Sequence, residues 1–176
     1  MSKEKKIIKT YAFVDASNII YGARAEGWFI DQKKLISYLK HKFSVSKTFF
    51  YYGKDSKNVK QEAFLRKLKQ FGYTLRVKEI KRYGRKTKAN CDVDLTMDVL
   101  LHMYKYKQAI ILSGDGDFLP LIQYITRQKK EVFIIASPKS TAREIREFVK
   151  HRFINFGNLR YFIERKNSKK MGRTLN

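Results

Sequence analysis

Short apolar runs alternate with stretches in which apolar residues recur every three or four positions along most of this chain. Apolar runs of this length predict strands, and the longer recurrence predicts amphipathic helices. The predicted strands are "KTYAFVDA", "KTFFYYG", "YTLRVKEI", "QAIILSG" and "EVFIIAS". The predicted helices are "QKKLISYLKHKF", "KQEAFLRKLKQFG", "CDVDLTMDVLLHMYKY", "DFLPLIQYITRQKK" and "STAREIREFVKHR". Strands alternating with helices imply one α/β domain, with a mainly parallel sheet covered on both faces.

The polar segments predict where these elements begin and end. Asp31 and Asn90 are expected to cap helices at their first turns, and Gly72 is expected to end one. The basic segment "KRYGRKTKAN" is predicted to be a loop, whereas "FINF" and "LRYFI" are predicted to be short final strands. We expect one domain over residues 1–163 and a basic, flexible tail over residues 164–176.

The charge of the chain points to a polyanionic partner. Its 39 Lys and Arg residues outnumber 16 Asp and Glu residues, which gives a formal net charge of +23. Basic residues alternate with tyrosines instead of forming one amphipathic basic helix, which favours nucleic acid over a membrane surface. The N-terminus resembles no secretion signal, so a cytoplasmic location is expected. The single cysteine, Cys91, excludes a disulfide within the chain and a cysteine-based zinc site.

Against this basic background, two aspartates separated by a single glycine lie where a buried strand should end. Asp115 and Asp117 follow the apolar run before "SGDGD", and no Lys or Arg lies within five residues of the pair. Asp15 ends the first predicted strand. In an open parallel sheet, ligands bind beyond the carboxyl ends of strands where the strand order reverses, so these carboxylates are expected to share a crevice. Asp15 could instead be only a turn residue, and Asp115 or Asp117 could cap the following helix.

Acidic residues are concentrated in the same part of the sequence. Five of the 16 lie within residues 92–117, where an even distribution would place about two. Asp94 and Asp98 share a helix face, whereas Asp92 and Asp98 are about 120° apart around the axis, so at least one of the three is expected to face away from the crevice. Carboxylates that share a pocket need a compensating proton or cation, and oxygen ligands alone favour Mg²⁺ or Mn²⁺.

Three motifs in order, "FVDASNI", "KANCDVDLTMD" and "ILSGDGDFLPLI", resemble the NYN domain, in particular its LabA-like branch within the PIN-like nucleases. The resemblance spans roughly residues 9–163. It implies a Rossmann-like α/β/α sandwich whose acidic site binds divalent metal and hydrolyses RNA.

The resemblance also implies residue roles. It gives catalytic and metal-binding roles to the acidic set, which is Asp15, Asp92, Asp115 and Asp117. Supporting roles fall to Asn18, which would steady a loop or a phosphate, and to Ser113, which would hydrogen-bond a ligand carboxylate. Asp94 and Asp98 stand at further acidic positions and are assigned as supporting residues.

The segment before Asp92 is a candidate nucleic-acid contact. Residues 76–88 hold seven basic residues in thirteen. The residues predicted to contact nucleic acid are Lys81, Arg82, Tyr83, Arg85, Lys86 and Lys88, with Tyr83 able to stack on a base. Trp28 could be a second stacking residue, although a place in the core is favoured for it.

Three functions compete at this point. The leading hypothesis is a metal-dependent ribonuclease, with RNA preferred to DNA as its substrate. The second is a non-catalytic RNA- or DNA-binding module that retains the acidic pocket, which the high positive charge would suit. The third is a DNA-directed nuclease, since the same metal chemistry serves either sugar. A homodimer is compatible with each of them.

Overall fold

The computed structural model describes residues 9–55, 58–83, 86–88 and 90–166. Six of its strands form the main sheet: β1 (Thr10–Asp15), β2 (Val45–Lys54), β3 (Thr74–Glu79), β6 (Gln108–Leu112), β7 (Glu131–Ala136) and β8 (Phe153–Asn155). Two short strands, β4 (Lys81–Tyr83) and β5 (Lys86–Lys88), pair only with each other. The helices in the described residues are α1 (Ala16–Ala25), α2 (Gln32–Phe43), α3 (Val59–Phe71), α4 (Asp92–Leu101), α5 (Leu119–Arg127), α6 (Arg143–Val149) and α7 (Arg160–Ile163).

The main sheet has the strand order β3-β2-β1-β6-β7-β8, and every neighbouring pair is parallel. The chain builds outward from β1 in one direction through β2 and β3, and then returns to the other side of β1 through β6, β7 and β8. The strand order therefore reverses between β1 and β6, which confirms that the two strands that precede the predicted acidic crevice are neighbours.

Alternate residues of the central strands feed two cores on opposite faces of the sheet. On β1, Ala12 and Val14 pack in one core with α1, α2, α3 and α7, whereas Tyr11 and Phe13 pack in the other with α4, α5 and α6. This is the period-two alternation of a strand that is buried on both faces. The fold is thus an α/β/α sandwich around a parallel sheet, as predicted.

Several local predictions hold and others fail. Gly72 ends α3 with a left-handed φ of 97°, which glycine adopts without strain. Helix α1 was not predicted, and the segment predicted to be a basic loop contains the β4–β5 hairpin. The last predicted strand, "LRYFI", is wrong because residues 160–163 form α7, with Ile163 buried in the core.

Predicted caps also differ in detail. The Asp31 side chain caps α2 by accepting from the backbone N–H groups of Lys33 and Lys34. The first residue outside α4 is Cys91, although the Asn90 side chain does accept a hydrogen bond from the backbone N–H of Asp92 at 2.7 Å. The described residues include no helix that is both long and apolar enough to cross a membrane.

Candidate active site

Asp15 ends β1 and is fixed by three hydrogen bonds. Its Oδ1 accepts from the Ser17 hydroxyl at 2.6 Å and from the backbone N–H of Asn18 at 3.2 Å, and its Oδ2 accepts from the Ser113 hydroxyl at 3.1 Å. The hydrogen bond from the backbone N–H of Asn18 makes Asp15 the N-cap of α1. The bond from Ser113 joins β1 to the end of β6, so Asp15 also belongs to the junction between the two strands.

The loop that follows β6 is organised by its own polar groups and by α1. The backbone N–H of Asp115 donates to the Ser113 hydroxyl at 3.3 Å, and that of Asp117 donates to Asp115 Oδ1 at 3.0 Å. The Asn18 side chain reaches across from α1 and accepts from the backbone N–H of Gly114 at 3.2 Å. Asn18 and Ser113 therefore link the end of β1 and the start of α1 to the loop that follows β6.

A pocket of about 560 Å³ opens at this junction and brings three of the predicted acidic residues together: Asp15, Asp92 and Asp115. Asp92 comes from the first turn of α4, which packs on the opposite face of the sheet from α1. Burial raises the pKa of Asp92, the hydrogen bond from Asn90 opposes that rise, and the charges of Asp15, Asp115 and Asp117 add to it. Burial first, and then repulsion by the neighbouring carboxylates, thus disfavours the ionised form of Asp92.

Asp117 lies beside this pocket but is not among the described residues that line it. Its side chain is exposed, and its backbone N–H is held by Asp115. The repulsion that it exerts on Asp92 shows that it belongs to the same electrostatic neighbourhood. Its direct contribution to the pocket is therefore charge.

The other two acidic residues of α4 face β3 instead. Asp98 is buried and accepts from Arg76 Nε at 2.7 Å, from Arg76 Nη2 at 3.1 Å and from the Tyr51 hydroxyl at 3.0 Å. Burial opposes its ionisation, but the hydrogen bonds from Arg76 and Tyr51 and the charge of Arg76 prevail and hold the pKa of Asp98 below its usual value. Asp94 forms an ion pair with Lys78 at 2.8 Å. Both pairs brace α4 against the edge strand and contribute nothing to the lining of the pocket.

Comparison with known proteins identifies the family. The NYN domain model matches residues 9–159. The chain belongs to the NYN domain family. It is 27% identical over 163 residues to the Low amplitude and bright protein LabA of Synechococcus elongatus, a match that covers 87% of this chain and 86% of LabA. A crystal structure of a protein of unknown function from Vibrio parahaemolyticus has the same fold, with a TM-score of 0.70 at 22% identity over 85% of this chain and 93% of that one.

The donors in the pocket of this NYN domain suit a hard divalent cation. The three lining carboxylates are oxygen donors, and no lysine or arginine is among the described lining residues. In the described part of the chain, no group of three or more His, Cys, Asp and Glu side chains is positioned to hold an ion by itself. Mg²⁺ is commonly held by one or two carboxylates, with water and substrate phosphate as its other ligands. The residues therefore fit an ion that is shared between protein and substrate.

The structure also places residues at the site that the sequence patterns did not single out. Tyr21 and Ser17 of α1 line the pocket, as does Ser140 from the segment after β7. Cys91 lines the pocket as well. Burial raises the pKa of its thiol to about 11. The charges of Asp94, Asp15 and Asp92 add to this rise, and the charge of Lys78 opposes it. A thiol with that pKa is protonated near neutral pH, which disfavours a thiolate nucleophile here. Ser140 could have been found from its place just after the strand "EVFIIAS", since β7 is the next strand beyond β6.

The predicted nucleic-acid segment is only partly described. Lys81, Arg82 and Tyr83 lie on β4, and Lys86 and Lys88 lie on β5. The side chains of these five residues are outside the described part of the structure, and Arg85 is outside it altogether. The prediction that they contact nucleic acid stays a prediction. Trp28 is buried and its ring stacks on Phe156 at a centroid distance of 5.2 Å, so it is a core residue.

Proposed function

We propose that this NYN domain protein is a divalent-metal-dependent endoribonuclease. The observation that carries the proposal is that Asp15, Asp92 and Asp115, from three different elements, line one pocket where the strand order of a parallel sheet reverses. Membership of the NYN family supports a nuclease function, and the donor set supports Mg²⁺ or Mn²⁺ as the cofactor.

The proposed roles of the residues follow from their contacts. One or two of the three lining carboxylates, Asp15, Asp92 and Asp115, would hold the ion together with water and substrate phosphate, and Asp117 completes the acidic set through its charge. When bound, the ion supplies an activated water and stabilises the charge that develops on the phosphate in the transition state. Ser17 and Ser113 orient the Asp15 carboxylate by donating a hydrogen bond to each of its oxygens. The remaining lone pairs of these oxygens would be free to bind the ion. Asn18 keeps Asp115 in place by holding the preceding backbone N–H.

The substrate that we propose is RNA in preference to DNA, as the family resemblance implies. The net charge of +23 favours any phosphodiester backbone, and the basic β4–β5 segment leads along the chain into Asp92. We also propose a cytoplasmic location, and a homodimer stays compatible with the charge and the fold.

A cleavage assay on labelled RNA and on DNA of the same sequence, with Mg²⁺, Mn²⁺ or EDTA, tests the proposal. We expect cleavage of RNA that requires the metal and is lost in Asp115→Asn. The asparagine retains an oxygen that can accept from the backbone N–H of Asp117, so the variant removes charge with little change of structure. Nucleic-acid binding should persist or improve in the variant, because one repulsive charge is gone from the pocket.

Glu131→Gln is the matched control. Glu131 begins β7 at the opposite end of the sheet, is exposed, and accepts a hydrogen bond from Gln108. Its substitution changes the net charge by the same amount and should leave cleavage unchanged. Full activity of Asp115→Asn would show that the pocket is not the active site, and faster cleavage of DNA than of RNA would overturn the proposed substrate.

The alternative is a non-catalytic RNA- or DNA-binding module. It is favoured by the size of the positive charge and by the lack, among described residues, of a protein group that could hold a metal unaided. It predicts tight, salt-sensitive binding with no cleavage in any metal. The same assay therefore separates the two functions.

A further inference from the structure

A second cavity, of about 570 Å³, opens directly beside the acidic pocket and shares four lining residues with it: Asp15, Ser17, Tyr21 and Cys91. We call it the α1–α3 groove, because α1 forms one wall and the end of β2 with α3 forms the other. Its volume is in the range of small-molecule sites, which are about 300–1,000 Å³. A ligand that reaches the acidic pocket can therefore extend into this groove without a break.

The walls of the α1–α3 groove are aromatic. Tyr21 and Phe29 line one side, and Tyr52 and Phe64 line the other, with the rings of Tyr52 and Phe64 5.7 Å apart. Tyr21 is 66% exposed and Phe29 is 56% exposed. Large apolar surface left in water beside a cavity marks a binding site more often than a packing defect. Aromatic rings are the side chains on which unpaired bases stack.

The charges around the groove match a phosphodiester strand. Arg24, Lys60 and Arg165 line it, and Asp15, at the end shared with the acidic pocket, is the one carboxylate among the described lining residues. The Arg24 guanidinium lies 5.9 Å from the centre of the Tyr21 ring. Burial and Tyr21 raise the pKa of Tyr52 while Arg24 lowers it, which agrees with these three side chains facing the same space.

We infer that the α1–α3 groove is a base-binding subsite, in which an unpaired base next to the phosphate at the acidic pocket stacks on Tyr21, with Phe29, Tyr52 and Phe64 around it. Arg24, Lys60 and Arg165 contact the phosphates on that side. The inference rests on the proposed function for the position of the scissile phosphate. It adds the residues that select an unpaired nucleotide, because a base in a duplex is already stacked and paired and cannot enter the groove.

The test measures binding without cleavage. Fluorescence anisotropy in EDTA compares two labelled single strands of about ten nucleotides, one with bases and one abasic throughout. Both strands carry the same phosphates, so the difference in affinity isolates the contribution of the bases. Wild type should bind the strand with bases more tightly than the abasic strand. Tyr21→Ala should lower the affinity for the strand with bases by about tenfold and change the affinity for the abasic strand by less than about twofold. Tyr21→Phe, which keeps the ring, should retain the preference.

Tyr104→Ala is the matched control. Tyr104 is 78% exposed and has Lys105 near its ring at 5.2 Å, but it precedes β6 and therefore lies at the opposite end of the sheet from the pocket. Equal effects of Tyr21→Ala and Tyr104→Ala, or an equal loss for both probes, would overturn the inference even if metal-dependent cleavage stands. Loss of base preference in Tyr21→Ala with no cleavage in any metal would support the subsite and reject the nuclease function.

Discussion

Gly114 is the residue whose substitution should most directly report how tightly the loop after β6 is held. A Cβ atom added at Gly114 would lie 2.9 Å from Thr141 Cα and would overlap Thr141 Oγ1. Thr141 cannot rotate away freely, because it is buried and its hydroxyl donates to the Ser137 carbonyl at 2.6 Å. The two backbones are also joined, since the N–H of Ala142 donates to the Gly114 carbonyl at 3.0 Å. Gly114→Ala must therefore push apart the loop that carries Asp115 and the segment after β7.

The size of the effect follows from these contacts. Overpacking of a tight interior contact costs about 1–3 kcal/mol, and loss of the backbone hydrogen bond adds about 1 kcal/mol. We expect Gly114→Ala to lower the free energy of unfolding by about 2–4 kcal/mol. Gly22→Ala is the matched control, because a Cβ at Gly22 meets nothing within 4 Å and the residue lies inside α1. Alanine in that position should raise the free energy of unfolding by about 0.5–1 kcal/mol.

Urea unfolding in EDTA measures both variants without interference from a bound metal. A cleavage assay on the folded fraction of Gly114→Ala should also show reduced activity, because Asp115 moves with the loop. If Gly114→Ala were as stable as wild type, the loop after β6 would have to move away from Thr141 without loss of free energy, which would contradict this prediction.

Three further predictions concern residues around the site. Asp98→Asn should destabilise the fold by about 1–2 kcal/mol at pH 7, which is less than for a fully buried ion pair because Arg76 is half-exposed. The pKa of Asp98 is lowered in the folded state, so the stability that wild type gains over the variant is present above about pH 4. This difference in stability should shrink as the pH falls through the folded-state pKa. Urea unfolding at pH 7 and pH 3 measures this, and a gap that does not narrow would contradict it. Trp28→Phe should destabilise the fold yet leave RNA affinity unchanged, because the ring is buried; anisotropy with labelled RNA checks this, and weaker binding would return Trp28 to the stacking role. Asn18→Ala should lower the free energy of unfolding by about 1–3 kcal/mol, because the backbone N–H of Gly114 loses its acceptor, and Asn18→Asp should recover part of this stability in urea unfolding. If the alanine variant were as stable as wild type, water would have to replace the hydrogen bond.

The layered fold and the place of the site were predictable because they depend on patterns that tertiary packing enforces. Central strands that are buried on both faces consist mostly of apolar residues, so β1 and β6 could be recognised in the sequence as continuous apolar runs. Aspartates at the ends of such runs are then placed together by the topology alone. The positions of Asp15 and Asp115 in one pocket follow from that rule.

The helices and strands that were not predicted from the sequence are those that bury little surface. Helix α1 buries only Ala16, Ile19 and Ala23, so its apolar face is two small residues and one large one. The β4–β5 hairpin pairs only with itself, and nothing in its pairing requires an alternating pattern. Helix α7 has four residues, which is too short for a helical period to show.

The sequence could have predicted that Asp94 and Asp98 face β3, but only if the spacing of residues along the helix had been compared with that along the strand. Four residues of a helix rise about 6 Å, and two residues of a strand rise about 6.6 Å. Asp94 and Asp98 therefore match Arg76 and Lys78, which are two apart on the same face of β3. Charge pairing between the two elements, and not a shared metal site, accounts for their spacing.

The order of the strands has a consequence for the protein while it is being made. Ser113 and Asp15, which are hydrogen-bonded in the finished fold, are separated by 98 positions along the chain. A nascent chain that has not yet released β6 contains Asp15 and Asp92 but has no neighbour on that side of β1 and no Asp115. Late-forming, long-range pairing of this kind is slow compared with local helix formation. The acidic pocket is therefore assembled only after the segment that carries Asp115 has emerged, so a shorter nascent chain holds at most two of the three carboxylates that line it.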